Sequence, residues 1–480
     1  MELHWPNKLD EASFLKQYWQ TRPLLIRNAF QIKDSPLSPD ELAGLALEED
    51  VESRIILRES DTKWHCRYGP FAAAELEDLP AEDWTLLVTD VEKHLPELRD
   101  WLKPFHFIPG WRIDDLMISY APPGASVGAH TDNYDVFLLQ VAGKRKWSIC
   151  DDLTADRSQI PDLEIGILEN FNATETWELE PGDMLYLPPG VPHHGVSMDK
   201  DCMTWSIGFR APSHQEIVTS IAEHLASQIP EEAFYSDPAI LLHENHGQIS
   251  PNAIARIRDI WNSYVHPDAQ TFDSLAGCLL TGGNKQLNRN TESETINLAA
   301  ENPSDSNGTT DTDAKVATSI KSAQQLLSSS SFLERNSFSR FAFIANVDVD
   351  AANTSKREAV LNKIREKVIR KSESDLEVAN ETGMGTQTLD HSSDQEETYQ
   401  GADSTNHGDS QPDTAMLFVD GEEFTCSTGL AQVLTNGYVY SAQELSGFME
   451  SSQEIDGLTD STTIAKLFEL GHLQVVDADN

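Results

Sequence analysis

Two short motifs carry histidine and carboxylate side chains at spacings that suit a shared metal ion. The stretch GAHTDNYD contains His130 and Asp132, which are two positions apart and therefore lie on one face of an extended segment. Further along the chain, PPGVPHHGV contains His193 and His194. Neighbouring side chains of a strand point to opposite faces, so only one of these two histidines can join the pair. Two imidazoles and one carboxylate on one side of an ion form the facial triad that is typical of non-haem Fe(II) oxygenases.

The His-x-Asp spacing alone is a weak signal, and its surroundings strengthen it. The pair follows the glycine-containing turn PPGASVG, and the histidine doublet follows EPGDMLYLPPG, a turn, strand and turn unit. Two other interpretations stay open from the residues. One is a barrel whose histidines are buried and hydrogen-bonded, and the other is a cupin that binds metal without redox chemistry.

The basic turn in AGKRKWSI offers a candidate for binding a second, anionic ligand. A hairpin that turns at Gly143 would bring Arg145 alongside the strand that follows His130. Strand alternation points Arg145 away from Lys144 and Lys146, which we interpret as solvated. A planar guanidinium binds a carboxylate through two parallel hydrogen bonds, as the distal carboxylate of 2-oxoglutarate would require.

The segments that must position these residues are short and are separated by turns. Between residues 111 and 210 the pattern predicts strands at DLMISY, DVFLLQVAG, RKWSIC, ETWELE, DMLYLP and MTWSIGF. Short strands with no helices between them indicate an antiparallel barrel of the jelly-roll type, the double-stranded β-helix. Residues 1–110 mix helical and strand patterns. We therefore predict a mainly β fold with added helices.

Beyond the predicted barrel the character of the chain changes. Residues 214–282 have helical periodicity, with Ser213 as the expected N-cap. Residues 283–335 are predicted to form a low-complexity linker. Strand and helix patterns over 336–480 predict a small α+β domain with a turn at Asp420-Gly421. An acidic insert at 372–413, which has eleven acidic residues and no lysine or arginine, is expected to be disordered.

The overall charge limits the partners of the chain. Its 480 residues include 35 basic and 79 acidic ones, a formal net charge of −44. Such a field repels nucleic-acid phosphates and favours basic proteins, so no direct nucleic-acid binding is expected. The beginning of the chain lacks the pattern of a signal peptide, and no apolar run is long enough for a membrane span. Five scattered cysteines argue against a disulfide framework, so we expect a cytoplasmic location.

Taken together, three segments resemble one known family. DDLMISYAPPGASVGAHTDNYDVFLLQVAGKRKW, LEPGDMLYLPPGVPHHGVS and SIGFRAPS are similar to the JmjC-type cupin oxygenases that hydroxylate ribosomal proteins. The bacterial members that hydroxylate an arginine of large-subunit ribosomal protein sixteen are the most similar. The similarity is strong over residues 90–215, and the two low-complexity segments depart from the family pattern.

The resemblance implies an activity and a set of site residues. It implies that His130, Asp132 and His193 bind Fe(II), with 2-oxoglutarate and dioxygen as co-substrates. Arg145 would bind the distal carboxylate of 2-oxoglutarate, with Ser119 as a second contact. Asp115 shares a strand face with Ser119 and could contact the substrate guanidinium, against which Tyr134 could pack. The product would be a protein hydroxylated at the β-carbon of an arginine.

The same resemblance implies the domain organisation and the assembly. An oxygenase domain at 1–213 would precede a helical dimerisation region at 214–282, and 336–480 would form a winged-helix-like domain with a structural or protein-binding role. A homodimer is expected. Two competing hypotheses are a non-catalytic metal-binding cupin that acts as a regulator and a JmjC-type demethylase of a basic protein. Arg145 distinguishes the first, because a plain cupin needs no inward-facing carboxylate clamp.

Overall fold

The described part of the molecule contains a β-sandwich with helices and a separate C-terminal unit. The computed structural model describes residues 2–6, 9–152, 154–163, 165–237, 249–267, 269–282, 332–345, 414–449 and 460–476. Residues 283–331 of the predicted linker and the acidic insert at 372–413 lie outside these residues. None of the helices within the described ranges has the length and apolar character that a membrane span requires.

Two antiparallel sheets face each other in the first part of the chain. Their strands are β1 (Leu24–Ile26), β2 (Ser53–Ser60), β3 (Lys63–Tyr68), β4 (Trp84–Val88), β5 (Ile113–Ala121), β6 (Asp135–Ala142), β7 (Arg145–Ile149), β8 (Glu175–Leu179), β9 (Met184–Leu187), β10 (His193–Ser197) and β11 (Cys202–Phe209). The larger sheet has eight strands in the order β1-β9-β6-β11-β5-β4-β2-β3, and the smaller has the order β10-β7-β8. The predicted antiparallel jelly-roll architecture is confirmed.

Strand β6 explains why the larger sheet is apolar on both faces. Its even-numbered residues Val136 and Leu138 pack with Leu185 and with Trp147 of the smaller sheet, which fills part of the space between the sheets. Its odd-numbered residue Phe137 points the other way. Period-two alternation sends consecutive side chains to opposite faces, and both faces of this strand are covered.

N-terminal helices cover the outer face of the larger sheet. They are α1 (Glu11–Gln17), α2 (Pro39–Leu45), α3 (Ala73–Glu77) and α4 (Val91–His94), with 3₁₀ turns at Pro96–Trp101, Lys103–Phe105 and Gly110–Arg112. Phe14 of α1 is fully buried, and its ring lies 4.9 Å from that of Tyr186 and 5.5 Å from that of Phe137. This layer therefore packs against the face of the sheet that is opposite the cavity.

Within the described residues three helices follow the sandwich, as predicted for this region. They are α5 (His214–Ser227), α6 (Pro251–Tyr264) and α7 (Ala269–Gly282). Ser213 is the N-cap of α5: its side chain accepts a hydrogen bond from the backbone of Glu216, whose carboxylate accepts one from Ser213 in return. Helix α7 packs on the C-terminal unit, where Gly277 leaves room for the ring of Phe418.

The C-terminal unit combines two small sheets with helices. Its elements are β12 (Phe332–Arg335), β13 (Phe341–Ala345), β14 (Thr414–Val419), β15 (Glu422–Ser427), α8 (Thr428–Asn436), β16 (Val439–Ser441), α9 (Ala442–Met449), α10 (Asp460–Glu469) and β17 (Leu473–Val476). The sheets have the orders β16-β12-β17 and β13-β14-β15. As predicted, the hairpin of β14 and β15 turns at Asp420 and Gly421, both with positive φ.

Strand β12 begins inside the stretch 283–335 that the sequence predicts to be a linker. Its residues pair with β16 on one side and with β17 on the other. Leu333 is fully buried in the core of the C-terminal unit. These partners lie more than a hundred positions further along the chain, so local composition does not reveal the strand.

Candidate metal centre

His130, Asp132 and His193 meet at one rim of the sandwich. His130 and Asp132 lie in the loop that follows β5, and His193 is the first residue of β10. The backbone N–H of His130 donates to the carbonyl of His193 at 3.0 Å, and the reverse bond is 2.9 Å long. One potential ligand atom from each of the three side chains lies within 4.8 Å of the other two. The structure therefore brings together the predicted triad.

Hydrogen bonds at the far side of each imidazole fix which nitrogen faces the shared space. The Nδ1 atom of His130 lies 3.0 Å from the carbonyl oxygen of Gly128, and that of His193 lies 2.9 Å from the carbonyl oxygen of Val191. A carbonyl oxygen only accepts, so both Nδ1 atoms carry the proton. In the neutral form of each ring the lone pair is then on Nε2, at 3.9 Å (His130) and 3.5 Å (His193) from the carboxylate of Asp132. This arrangement prepares both rings to bind a metal.

The histidine doublet separates as strand alternation requires, and the structure shows which residue turns inward. His193 is 2% exposed and lines the cavity, whereas His194 points to the other face, with its ring 5.9 Å from that of Phe171. Burial, with the nearby His130, lowers the pKa of His193 to about 4. The imidazole is therefore neutral near pH 7, which is the form that binds metals.

The three side chains stand at the wall of a cavity of about 390 Å³ between the two sheets. They occupy one side of the space that an ion would fill, and the cavity lies on the other side. Two imidazoles and a carboxylate in this arrangement suit Fe(II) and leave positions open for further ligands. In the described parts of the chain, these are the residues whose grouping suits a metal ion.

Arg145 contributes a buried positive charge to the same cavity. It is 2% exposed on β7, and its guanidinium lies 5.7 Å from the Trp147 ring centroid. Nε lies 3.4 Å from the sulfur of Cys202, but the buried Nη2 has no hydrogen-bond partner within the described parts of the chain. A buried, unsatisfied guanidinium is costly unless an anion joins it, so the site fits a carboxylate ligand.

The two lysines beside Arg145 behave as alternation predicts. Lys144 and Lys146 are both exposed, and the Nζ atom of Lys144 lies 2.5 Å from the carboxylate of Glu180. They do not line the cavity. The structure thus places one of the three adjacent basic side chains inside and the other two in solvent.

Ser119 is on the wall of the cavity, on β5. It is buried, and its hydroxyl donates a long hydrogen bond of 3.3 Å to the carbonyl of Thr204. Thr204 also lines the cavity, and its own hydroxyl donates to Gln140 at 2.9 Å. The hydroxyl of Ser119 can turn from its weak bond toward a carboxylate held by Arg145, because both residues face the same space.

Asp115 and Tyr134 lie together near the mouth of the cavity, next to Gly208. A Cβ atom at Gly208 would meet the Asp115 carboxylate at 2.9 Å and the Tyr134 ring at 3.9 Å, so glycine keeps this space open. Burial, with the charges of Asp114 and Glu92, raises the pKa of Asp115 well above its usual range. A cation at this position would stabilise the ionised carboxylate.

Several cavity residues were not singled out from the sequence. The N-terminal strands supply Arg54, Ile56 and Tyr68, and the connection between β7 and β8 supplies Gln159 and Ile167. Arg54 and Ile56 share a strand face by period two, which is the signal that the sequence did offer. Their approach to the metal site depends on the order of strands in the larger sheet, which local patterns do not reveal.

This combination of a jelly-roll sandwich, an inward-facing facial triad and a buried arginine defines the class of JmjC-type metal-dependent oxygenase folds. Comparison with known proteins agrees: the JmjC domain model matches residues 100–217. The chain is 36% identical over 260 residues to the ribosomal protein uL16 3-hydroxylase of Escherichia coli, which covers 54% of this chain and 67% of that protein. The chain belongs to this family of JmjC-domain ribosomal oxygenases, as the sequence resemblance predicted.

Other comparisons extend the similarity. A probable ribosomal oxygenase of Haemophilus influenzae is 37% identical over 227 residues, which cover 47% of this chain and 56% of that protein. The crystal structure of E. coli YcfD superposes with a TM-score of 0.66 at 23% identity and covers 99% of this chain and 100% of that one. YcfD bound to cobalt and 2-oxoglutarate gives a TM-score of 0.63, also at 23% identity. These solved structures support the fold of the described residues.

Proposed function

We propose that this protein is an Fe(II)- and 2-oxoglutarate-dependent hydroxylase that modifies the β-carbon of an arginine in large-subunit ribosomal protein uL16. The observation that carries the proposal is Arg145, which lines the cavity that holds His130, Asp132 and His193 and whose buried Nη2 atom has no hydrogen-bond partner among the described residues. Binding of a metal ion alone does not require this arginine. Binding of an anionic co-substrate next to the metal explains it, because the carboxylate of the co-substrate would pair with the buried guanidinium.

The residues present suit both the ion and the co-substrate. Fe(II), when bound with 2-oxoglutarate and dioxygen, supplies the chemistry that hydroxylates an unactivated carbon and converts 2-oxoglutarate to succinate and carbon dioxide. The protein holds the ion with His130, Asp132 and His193. Arg145 and Ser119 orient the distal carboxylate, and apolar walls such as Val136 and Leu138 restrict water in the cavity. Related proteins named for this chemistry include the E. coli uL16 3-hydroxylase, and YcfD binds cobalt with 2-oxoglutarate or succinic acid.

The mouth of the cavity supports a cationic substrate side chain. Asp115 offers a carboxylate that burial makes costly to ionise until a cation arrives, and Tyr134 beside it offers a flat surface for a guanidinium. The net charge of −44 attracts lysine- and arginine-rich ribosomal proteins over a longer range. Such a substrate is consistent with the expected cytoplasmic location.

Mass spectrometry of the substrate tests this function directly. Recombinant uL16 incubated with the protein, Fe(II), 2-oxoglutarate and ascorbate should gain one oxygen atom, with release of succinate. His193→Ala serves as the inactive control. Loss of a methyl group from a methylated substrate would instead identify a demethylase. Metal binding without any succinate release on uL16 would favour the non-catalytic cupin.

The helical region supports a homodimer. On α6, Ile254, Ile257 and Trp261 lie on one face at helical spacing, and Trp261 and Ile257 are 62% and 53% exposed in the single chain. An apolar stripe of this kind in solvent is typical of an interface. We assign it to association with a second copy, which makes 214–282 the dimerisation region after an oxygenase domain at 1–213.

The C-terminal unit is proposed to be a winged-helix-like domain with a structural or protein-binding role. Its helix α8 contains no lysine or arginine, and α10 contains Lys466 as its one basic residue. A helix that reads nucleic acid carries several basic side chains. This composition supports contact with protein surfaces rather than with phosphates.

A further inference from the structure

A second cavity, of about 400 Å³, lies between the sandwich and the C-terminal unit. It shares none of its lining residues with the metal cavity. Asp114 and Asp115 mark the separation, because these neighbours on β5 line the second cavity and the metal cavity respectively. Apolar side chains from both units line the second cavity, among them Leu102, Trp111 and Phe338.

Most charged groups at this second cavity already have partners. Arg99 pairs with Glu334 at 2.6 Å, and Arg340 pairs with Asp114 at 2.5 Å. Lys93 pairs with a neighbouring aspartate. The carboxylates of Glu334 and Asp114 are therefore already paired with arginines and do not neutralise a further cation.

Arg335 is the exception among the described residues that line this cavity. It is 9% exposed, its buried Nε atom has no hydrogen-bond partner, and no carboxylate of the described chain forms an ion pair with it. Glu92 also lines the cavity, but burial raises its pKa to about 7, and its carboxylate accepts the backbone N–H of Leu116 at 2.9 Å. Near neutral pH the carboxylate of Glu92 is therefore only partly ionised, and it does not fully balance the charge of Arg335. A buried guanidinium in this state costs free energy that an anionic ligand would offset.

The rings around Arg335 determine how a ligand could reach it. The guanidinium carbon lies 4.3 Å from the ring centroid of Tyr438 and 4.8 Å from that of Phe341. A guanidinium with aromatic rings at these distances can still use its N–H edge for an oxygen acceptor. That edge is the part of arginine that binds a carboxylate or phosphate through two parallel hydrogen bonds.

We propose that the cavity between the two units binds a small organic anion, whose carboxylate or phosphate accepts hydrogen bonds from Arg335 and whose apolar body lies against Phe338 and Trp111. A volume of about 400 Å³ is at the lower end of small-molecule sites, which excludes a folded partner. The ligand would contact both units at once and would stabilise their contact. This site is independent of the metal centre and of the proposed hydroxylase activity.

Calorimetric titration of the full-length protein tests the proposal with three probes: benzoate, phenyl phosphate and inorganic phosphate. At least one of the two aromatic anions should bind at millimolar concentrations or below, and more tightly than inorganic phosphate. Arg335→Met should weaken that binding by at least about tenfold, which corresponds to about 1.4 kcal/mol. Whichever of benzoate and phenyl phosphate binds more tightly identifies the anionic group, carboxylate or phosphate, that the site prefers. If none of the three probes binds, or if inorganic phosphate binds as tightly as both aromatic anions, the proposal fails.

Two controls separate this site from other arginines. Arg22→Met removes an exposed guanidinium that also lies over an aromatic ring, 4.4 Å from the centroid of Tyr18, and should leave binding unchanged. Arg145→Met removes the carboxylate-binding candidate of the metal cavity and should also leave it unchanged. Binding that disappears in Arg145→Met and survives in Arg335→Met would overturn the proposal, because the anion would then occupy the metal cavity.

A second variant keeps the test decisive if Arg335→Met does not fold. Ala342→Phe adds bulk to the wall of the cavity and retains the guanidinium. This substitution should weaken the binding of benzoate and phenyl phosphate by at least about tenfold. Circular dichroism and thermal unfolding of each variant establish that it is folded. A folded Ala342→Phe protein that binds the aromatic anions as tightly as the wild type would contradict the proposed position of the ligand.

Discussion

His130 and His193 exchange a pair of backbone hydrogen bonds, of 3.0 and 2.9 Å, at an isolated bridge between the loop after β5 and the start of β10. Their imidazole centroids lie 4.3 Å apart. The backbone therefore sets the separation of the two rings, and each ring is also held by a carbonyl behind it. A metal ion would find these two ligands already oriented, which lowers the conformational cost of binding.

The two neighbouring histidines should behave differently when replaced. His193→Ala removes a ligand that points into the cavity, so turnover should fall to about one hundredth of wild type or less, with weaker Fe(II) affinity. His194→Ala alters the opposite face and should retain most of the activity. Succinate release and metal titration measure both. Equal losses in the two variants would contradict the assignment of His193 as the ligand.

Arg145→Met should raise the KM for 2-oxoglutarate by at least about thirtyfold, since losing a buried charge-assisted contact costs about 2 kcal/mol or more. Lys146→Met, one position along the same strand and exposed, is the matched control and should leave this KM unchanged. Steady-state kinetics at saturating protein substrate separate the two. A normal KM in Arg145→Met would show that the co-substrate binds elsewhere.

Asp115→Asn should act on the protein substrate and leave the co-substrate unaffected. Replacing the carboxylate weakens a charged hydrogen bond to the substrate guanidinium, so the KM for a uL16 peptide should rise about tenfold while that for 2-oxoglutarate stays constant. Asp114→Asn provides a comparison on the same strand, because its carboxylate pairs with Arg340 outside the metal cavity. A change in the KM for 2-oxoglutarate alone would contradict the proposed contact.

Glu92 should make the stability of the protein depend on pH. Burial raises its pKa from an ordinary 4.5 to about 7, so between these values the unfolded chain releases the proton while the folded protein keeps it. Its contribution to the free energy of unfolding is complete below pH 4.5 and is lost as the pH rises to about 7, by up to about 3 kcal/mol.

Glu92→Gln removes this titration and can still accept the backbone hydrogen bond from Leu116. Across the same pH range, the wild type should therefore lose stability relative to the variant. Urea unfolding on either side of the range measures the difference, with the exposed Glu97→Gln as control. Parallel pH profiles for wild type and Glu92→Gln would disprove the assignment.

Trp261→Glu should convert the proposed homodimer to a monomer. The substitution places a charge in the exposed apolar face of α6, where association would have to bury it at a cost of several kcal/mol. Asn262→Glu adds the same charge at the next position of the helix and should leave the dimer intact. Light scattering coupled to gel filtration measures the mass. A monomeric wild-type protein would exclude the interface.

The sequence alone predicted the jelly-roll class and the contents of the metal site. The predicted grouping of His130 and Asp132 is present in the structure, although both residues lie in the loop after β5 and not on a strand. The direction of Arg145, inward between two solvated lysines of the β7 segment, could be predicted because side-chain direction along a strand is a local property with a period of two residues. Ser213 was predicted as a helix cap for the same reason, since capping involves residues a few positions apart.

Other features depend on contacts between distant parts of the chain, and only the tertiary structure decided them. Alternation required the histidine doublet to split, but the bridge to His130 determined that His193 is the residue facing the cavity. Arg54 reaches the metal cavity because of strand order, and β12 exists because it pairs with β16 and β17. Among the described residues Arg335 has no ion-pair partner, and only the packing of the two units against each other reveals this. Local sequence dictates which way a side chain points, whereas long-range packing dictates what it meets.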